Sequence, residues 1–288
     1  MPAGFAGAYR AFVENGWGTL AVPEAFGGQG LPQVLATVVQ EDLGTANFGF
    51  SLINMLTPGA IDAIIAHGSD AQKAIWLPRL IDGTWNGTMC LTEPQAGSDV
   101  GALRTMATPA GNGLWKIKGQ KIFITFGEHD LTDNIVHLVL ARTPDAPAGT
   151  KGISLFLVPK YRLDAEGNPG PPNDVRCLSI ERKLGLHASP TCTMAFGDAD
   201  DCLGELVGGQ GAGMRAMFAM MNNARLSVGS QGVQIAERAT QHARSFAAER
   251  MQSPRADGST GFTPAPIADH PDVRRMLLRM AAQTEAAR

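Results

Sequence analysis

Apolar residues change their spacing twice along this chain of 288 residues, and the two changes divide it into three parts. Up to about residue 84 they recur at the interval of amphipathic helices. Between Trp85 and Leu206 they form short runs separated by Gly- and Pro-rich turns, which is typical of strands. From Val207 onward the helical interval returns. We therefore expect an α+β chain with a helical domain over residues 1–84, a β-domain over residues 85–206 and the beginning of a second helical domain over residues 207–288.

The first part contains helix candidates with identifiable ends. Ala3–Asn15 should form a helix that stops at Gly16, and Pro32 should open a helix that runs to Leu43. Phe48–His67 is a longer apolar segment interrupted near Pro58, and Ser69 or Asp70 should cap a helix over Ala71–Leu80. We expect the apolar residues of the first two helices to face inward: Phe5, Tyr9, Phe12, Val13, Val34, Leu35, Val38 and Val39.

Short strands and turn clusters fill the second part and predict a small barrel or sandwich. The strand candidates are Asn86–Thr92, Leu114–Thr125, Ile135–Arg142, Ile153–Pro159, Val175–Glu181 and Thr191–Phe196. The Gly/Pro-rich stretch Asp164–Pro172 should be a mobile surface loop. In the third part we expect a long helix over Met214–Met251, a linker over Ser253–Pro266 and a helix from Pro271 into Arg288.

Composition excludes several classes of function. The formal net charge of −3 gives no attraction to nucleic acid or anionic lipid, and the sequence contains no block of like charge. The four cysteines lie far apart without a C-x-x-C pair, so neither a disulfide framework nor a metal site is expected. No uninterrupted apolar run reaches the roughly 20 residues of a spanning helix, so we expect no membrane segment and a cytoplasmic location.

Two stretches of the β-region carry chemistry. The first, Met89–Asp99, is an apolar strand that breaks at Pro94 and passes into a turn rich in Gly and Ser, which could present hydroxyls and backbone N–H groups to a planar ring beside a phosphate. The second, Ile117–Thr125, reads as a half-buried strand with Phe123 and Thr125 on one face. The alternative for each stretch is an ordinary strand with an ordinary turn.

Taken together, these stretches resemble the two middle-domain signatures of the acyl-CoA dehydrogenase family, T-E-P-x-A-G-S-D and G-x-K-x-[FW]-I-T, in the family's order and spacing. The resemblance covers nearly the whole chain. It implies three domains (an α-helical domain, a middle β-barrel domain and a C-terminal helical bundle) and FAD as the cofactor. It also implies an acyl-CoA substrate, electron-transfer flavoprotein or a similar acceptor, and a homodimer or homotetramer.

The resemblance also assigns roles to individual residues. Backbone groups of Met89, Cys90 and Leu91 would pass beside the flavin, and Thr92 would hydrogen-bond its pyrimidine side. Gly97 belongs to the phosphate-facing turn, and Ser98 would contact cofactor phosphate or the pantetheine arm of the substrate. Phe123 would stack on the ring, Ile124 would line it, and Thr125 would hydrogen-bond near N5.

On the long helix, Asn222 and Arg225 would lie on the CoA side. Arg250 would reach FAD pyrophosphate across a subunit interface. His187 stands where the family often has a basic residue, and we expect it to be a surface residue. We expect Glu93 to be structural.

In the family the catalytic base is a glutamate of the C-terminal bundle, and its expected position lies beyond Arg288. We therefore assign no catalytic residue here. Because the first helix begins abruptly and the last helix has no stop signal, we expect the chain to be a fragment cut at both ends. Several runs resemble a larger bacterial branch that includes 3-(methylthio)propanoyl-CoA dehydrogenase. The alternatives are an acyl-CoA oxidase of the same fold and a non-catalytic member used for binding or assembly.

Overall fold

The structure, a computed structural model, describes all residues from Met1 to Arg288. Its N-terminal part is helical, as predicted. The helices are α1 (Phe5–Glu14), α2 (Gln33–Ala46), the single turn α3 (Phe48–Ser51), α4 (Thr57–His67) and α5 (Asp70–Ile81). The inward face predicted for α1 is confirmed, because Phe5, Tyr9 and Phe12 are buried.

Sequence signals fix the ends of α4 and α5. Ser69 caps α5 through a reciprocal pair of bonds, in which its hydroxyl accepts from the Gln72 N–H and the Gln72 side chain accepts from the Ser69 N–H. Pro58 does not interrupt a helix. It lies in the first turn of α4, where a missing N–H costs nothing, and the irregular residues precede it.

One helix face was predicted wrongly. Val34, Leu35 and Val38 of α2 are 65%, 46% and 51% exposed instead of facing inward. Helical spacing identifies an apolar face but does not show which element covers it. The segment Phe48–His67 is apolar and long enough to cross a membrane by length and composition only, and 61% of its 18-residue apolar window is buried inside the fold.

Ten strands form the middle part. They are β1 (Trp85–Cys90), β2 (Met106–Gly111), β3 (Leu114–Thr125), β4 (Asn134–Arg142), β5 (Ile153–Pro159), β6 (Tyr161–Leu163), β7 (Pro169–Pro172), β8 (Val175–Ile180), β9 (Thr191–Phe196) and β10 (Leu203–Val207). The main sheet has the order β1-β4-β5-β10-β3-β9-β8. Because β2 pairs with both β3 and β4, the strands β4-β5-β10-β3-β2 close into a ring, which confirms the barrel-like middle domain.

Alternate residues of the central strands face two cores. On β4, Leu138 and Leu140 pack with α4 and α5, whereas Val139 and Ala141 pack inside the ring with residues such as Phe156. All six predicted strands exist. The sequence signal missed β2, β6 and β10. The predicted loop Asp164–Pro172 contains β7, which forms a small hairpin with β6.

The C-terminal part consists of α6 (Gly213–Glu249) and α7 (Pro271–Ala287). By its contacts the chain forms two compact units, one of residues Met1–Ala36 and Gly49–Leu226 and the other of Thr37–Phe48 and Ser227–Arg288. Within the second unit α2 and α6 approach closely at Gly44, where a Cβ atom would lie 1.7 Å from the Gln234 side-chain oxygen. Arg288 forms ion pairs with Glu41 and Glu237 in the same unit.

Candidate flavin and acyl-CoA site

Backbone and side-chain bonds join the two sequence motifs. The Ile122 N–H on β3 donates to the Thr92 carbonyl at 2.9 Å, and the Lys121 ammonium donates to the Leu91 carbonyl at 3.0 Å. The end of β1 and the middle of β3 therefore lie side by side, although 29 residues of sequence separate Thr92 from Lys121. This contact is the geometric basis of the site.

Phe123 occupies a backbone conformation that is unusual for its residue type. Its φ is 59°, and the register of β3 against β9 shifts between Lys121 and Ile124, which marks a bulge. The ring of Phe123 is 59% exposed. A bulky residue with positive φ is strained, and such positions cluster at ligand sites.

The bulge interrupts the regular alternation of β3, because Phe123 is exposed whereas Lys121, two positions earlier, is buried and Thr125 is half-buried. The shared face of Phe123 and Thr125 therefore stays a prediction. Ile124, which lies between them, is buried. Its side chain is 2% exposed and packs inside the ring of strands, so only its backbone could face a ligand.

The residues at the end of β1 are largely buried. Leu91 is a core residue, Met89 is partly buried, and Cys90 has no exposed surface. The Cys90 thiol lies against the Thr88 hydroxyl, and burial raises the pKa of this thiol to about 12. A buried thiol of this kind is a poor nucleophile and a poor metal ligand, so the expected contact of Cys90 is through its main chain.

The turn after β1 presents hydroxyl groups. Glu93 and Ala96 exchange backbone hydrogen bonds of 3.0 Å, and this bridge folds the chain so that Gly97 lies near the Thr92 side chain. Gly97 and Ser98 are exposed and Thr92 is half-buried. The hydroxyls of Thr92, Ser98 and Thr125 make no hydrogen bond within the chain, so they are free to bind a ligand.

Glu93 is a structural carboxylate, as expected. It is 3% exposed and pairs with Lys121 at 2.8 Å. Burial would raise the pKa of Glu93, but the charge of Lys121 and the donors Thr105 and Arg104 outweigh burial and lower this pKa to about 2. Glu93 is thus ionised at neutral pH and unavailable for proton transfer.

The predicted residues of the long helix make local contacts. Arg225 donates to the Asn222 side chain at 3.2 Å, and its guanidinium lies 5.4 Å from the centre of the Phe218 ring. Arg250 follows the last turn of α6, is exposed, and donates to the Gln252 side chain at 3.0 Å. His187 is exposed and contacts the Lys183 carbonyl at 2.9 Å. The binding roles of Asn222, Arg225 and Arg250 remain predictions.

Sequence reasoning missed two buried groups. Lys121 has no exposed side-chain surface, and the strand parity it shares with Ile117 would have pointed it inward, where an acidic partner is needed. His137 is also fully buried and meets the Thr88 hydroxyl at 2.7 Å. No sequence signal marks His137, because it stands in an otherwise apolar strand.

The comparisons with known proteins agree with this geometry. Three family models match: the acyl-CoA dehydrogenase N-terminal domain over residues 2–84, the middle domain over 88–199 and the C-terminal domain over 211–288. The chain is 54% identical over its whole length to 3-methylmercaptopropionyl-CoA dehydrogenase of Ruegeria pomeroyi, of which it covers 48%. It thus spans about half the length of this curated relative.

Solved structures give the same result. Butyryl-CoA dehydrogenase from Megasphaera elsdenii superposes with a TM-score of 0.81 at 25% identity, covering 96% of this chain and 67% of that one. An acyl-CoA dehydrogenase from Bacillus anthracis complexed with FAD gives 0.79 at 28% identity, covering 98% of this chain and 44% of that one. From its domain matches, its relatives and its fold, the chain belongs to the acyl-CoA dehydrogenase family.

Proposed function

We propose that this chain binds FAD and takes part in the α,β-dehydrogenation of an acyl-CoA thioester. The observation that carries the proposal is the contact between Ile122 and Thr92, which brings both motifs to one surface. That surface fits a flavin chemically. It combines an exposed aromatic ring with uncommitted hydroxyls, and a planar heteroaromatic cofactor needs both stacking and hydrogen bonds.

Each residue of this surface has a distinct task in the proposal. Phe123 covers the ring, and Thr92 and Thr125 donate hydrogen bonds to its polar edge. Main-chain groups of Met89, Cys90, Leu91 and Ile124 line the ring, and Gly97 and Ser98 face phosphate or the pantetheine arm. When bound, FAD takes up the hydrogen that leaves the β-carbon of the thioester as hydride. The chain's own residues hold the ring and exclude water from it.

Proton removal from the α-carbon needs a base, and none of the 288 residues is proposed for this role. Glu93 is a carboxylate of the first motif, but all its acceptor positions face donors of the chain. Asn222 and Arg225 are proposed to bind the CoA portion. Arg250 is proposed to bind cofactor pyrophosphate, for which a guanidinium fork is suited.

The substrate is proposed to be a short to medium acyl-CoA. The relative from Ruegeria pomeroyi is named for 3-methylmercaptopropionyl-CoA, which makes that thioester the first candidate. We further propose electron-transfer flavoprotein as the acceptor, a homodimer or homotetramer as the assembly, and the cytoplasm as the location. One solved structure similar to this chain is described as an electron-transferring flavoprotein of Acidaminococcus fermentans.

A spectroscopic and kinetic experiment tests the proposal. The protein at its full natural length is purified, its visible spectrum is recorded, and a panel of acyl-CoAs is supplied with an artificial electron acceptor. We expect a yellow protein that reduces the acceptor with short acyl-CoAs. Peroxide formation with oxygen alone would instead identify an oxidase. A colourless protein that binds no FAD would support a non-catalytic member of the family.

A further inference from the structure

An ion pair without solvent contact stands between the two motifs. The Lys121 ammonium lies 2.8 Å from the Glu93 carboxylate, and the two side chains are 0% and 4% exposed. The same ammonium donates to the Leu91 carbonyl at 3.0 Å. The Lys121 ammonium on β3 therefore binds the segment after β1 at two places, at the backbone carbonyl of Leu91 and at the side chain of Glu93.

Every acceptor position of Glu93 is engaged. Oε1 accepts from Lys121, from the Thr105 N–H at 3.0 Å and from the Thr105 hydroxyl at 2.6 Å. Oε2 accepts from the Arg104 N–H at 2.7 Å and from the Gln95 amide at 2.7 Å. The carboxylate thus connects three segments of chain: its own turn, the start of β2 and the middle of β3.

Stability alone does not explain this arrangement. Removing two charges from water costs several kcal/mol, and well-packed apolar residues can stabilise a fold equally well. What an ion pair with directional hydrogen bonds adds is a fixed geometry. Here that geometry bears on the site directly, because Ile122 and the Phe123 bulge follow Lys121 without an intervening residue.

We propose that Lys121 and Glu93 are a positioning pair that clamps the turn after β1 onto the β3 bulge and so sets the spacing between Thr92, Phe123 and Thr125. This inference rests on the proposed FAD site and adds residues that do not touch the cofactor. Without the clamp, the hydroxyls and the aromatic ring remain in the chain but no longer share one ligand geometry. Loose positioning of this kind weakens binding even where every contacting residue is retained.

Three variants test the clamp in the full-length protein. Lys121→Met removes the ammonium but leaves a buried carboxylate, so it also threatens folding. Glu93→Gln combined with Lys121→Met removes both charges and so leaves no unpaired buried charge, although the new amide NH2 gives up at least one of the hydrogen bonds that the carboxylate accepts. Lys116→Met is the matched control, because Lys116 lies on the same strand and pairs with Asp200 at the same 2.8 Å, but on the exposed surface.

The readouts are FAD affinity by flavin fluorescence, the visible spectrum of bound FAD and the urea midpoint of the apoprotein. We expect the double variant to keep a midpoint above that of Lys121→Met, while its FAD affinity falls about 10- to 100-fold, the equivalent of one lost hydrogen bond between the displaced site and the cofactor. The spectrum of its bound FAD should also shift. Lys116→Met should stay within about twofold of the original affinity.

The outcomes separate the two proposals. If the double variant folds and binds FAD with unchanged affinity and spectrum, the pair is merely structural and the inference is overturned. If its affinity falls only in proportion to a lowered urea midpoint, the inference is also overturned. If the unmodified protein binds no FAD, the proposed cofactor is wrong, and the inference about the positioning pair is rejected with it.

Discussion

At the scale of single residues, the site depends on side chains that the fold leaves uncommitted. Thr92, Ser98 and Thr125 are polar groups without partners in the chain, and Phe123 is an aromatic ring held on the surface. These side chains contribute little to the stability of the fold, and an exposed aromatic ring is unfavourable in water. This combination is typical of a ligand site. Substitutions there should therefore change binding and chemistry more than stability.

The hydroxyl of Thr125 gives the first prediction. Thr125→Val should slow flavin reduction by about 10- to 100-fold while leaving acyl-CoA affinity nearly unchanged, because it removes one hydrogen bond to a reacting group. Stopped-flow absorbance of the flavin and titration with a non-reacting acyl-CoA analogue measure the two effects. Thr108→Val, an exposed change on β2, is the control. Reduction at the original rate would remove Thr125 from the site.

The backbone of Phe123 gives a second. Phe123→Gly should raise the free energy of unfolding of the apoprotein by about 0.5–1 kcal/mol, because Gly adopts positive φ without strain and little apolar burial is lost. The same change should weaken FAD binding. Urea denaturation and a flavin titration test the two halves. A variant that loses stability and keeps its FAD affinity would show that the ring serves the fold and not the cofactor.

Two buried histidines should set the acid limit of the fold. Burial lowers the pKa of His129 to about 4 and the pKa of His137 to about 3, both from 6.5. The unfolded chain therefore binds more protons, so this stability is complete above pH 6.5 and is lost as pH falls toward pH 3. We expect the loss to exceed about 1 kcal/mol between pH 6.5 and pH 4.5, before Glu93 begins to protonate.

Urea denaturation over that pH range tests the expectation. His129→Asn should flatten the dependence, since an Asn oxygen can still accept the Leu131 N–H that His129 accepts at 3.2 Å. His187→Asn, an exposed change, should leave the slope as it was. Equal slopes in all three proteins would mean that His129 titrates normally in the folded state.

At the scale of elements, local signals that act within a few residues were reliable. The α5 cap illustrates this, and it predicts that Ser69→Ala lowers the free energy of unfolding by about 0.5–2 kcal/mol. Ser69→Asp should retain most of the stability, because a carboxylate also accepts the Gln72 N–H. The urea midpoints of the two variants and of the unmodified protein measure these differences. Equal losses in both variants would indicate that packing of Ser69, and not capping, is what α5 needs.

Non-local features were the ones that sequence could not give. Six strands were predictable from alternation, but β2 reads as Met-Ala-Thr-Pro-Ala-Gly and carries no such pattern, although it closes the ring by pairing with β3 and β4. The prediction that the apolar face of α2 is buried was wrong for the same reason, because burial depends on which other elements pack against the helix. Motif residues were predictable, whereas the bulge at Phe123 and the pairing of Lys121 with Glu93 arise only when distant segments meet.

At the scale of the whole molecule, the second compact unit exposes several large apolar side chains. Phe246, Met276 and Leu278 are 63%, 45% and 69% exposed on α6 and α7. An apolar area of this kind favours association at roughly 25 cal/mol per Å2 removed from water. We therefore expect this unit to associate with another helical surface and subunits to assemble through it.

Assembly leads to the last prediction, which concerns Arg250. Its guanidinium contacts Gln252 and is otherwise exposed, so Arg250→Met should leave folding and subunit mass unchanged. If Arg250 serves the cofactor of a neighbouring subunit, this variant should bind FAD about 10-fold or more weakly, because a charge-assisted bond to phosphate is lost.

Phe246→Glu combined with Leu278→Glu should lower both the mass measured by light scattering and the FAD content.

Mixed subunits separate a shared site from one within a single chain. Arg250→Met subunits keep an intact flavin surface, and subunits with Phe123→Gly and Thr125→Val keep Arg250. Each homogeneous protein should bind FAD poorly, but a refolded mixture should recover tight sites in which one subunit supplies the motifs and its neighbour supplies Arg250. No recovery in a mixture shown to contain hybrid assemblies would place Arg250 in the site of its own chain or in none.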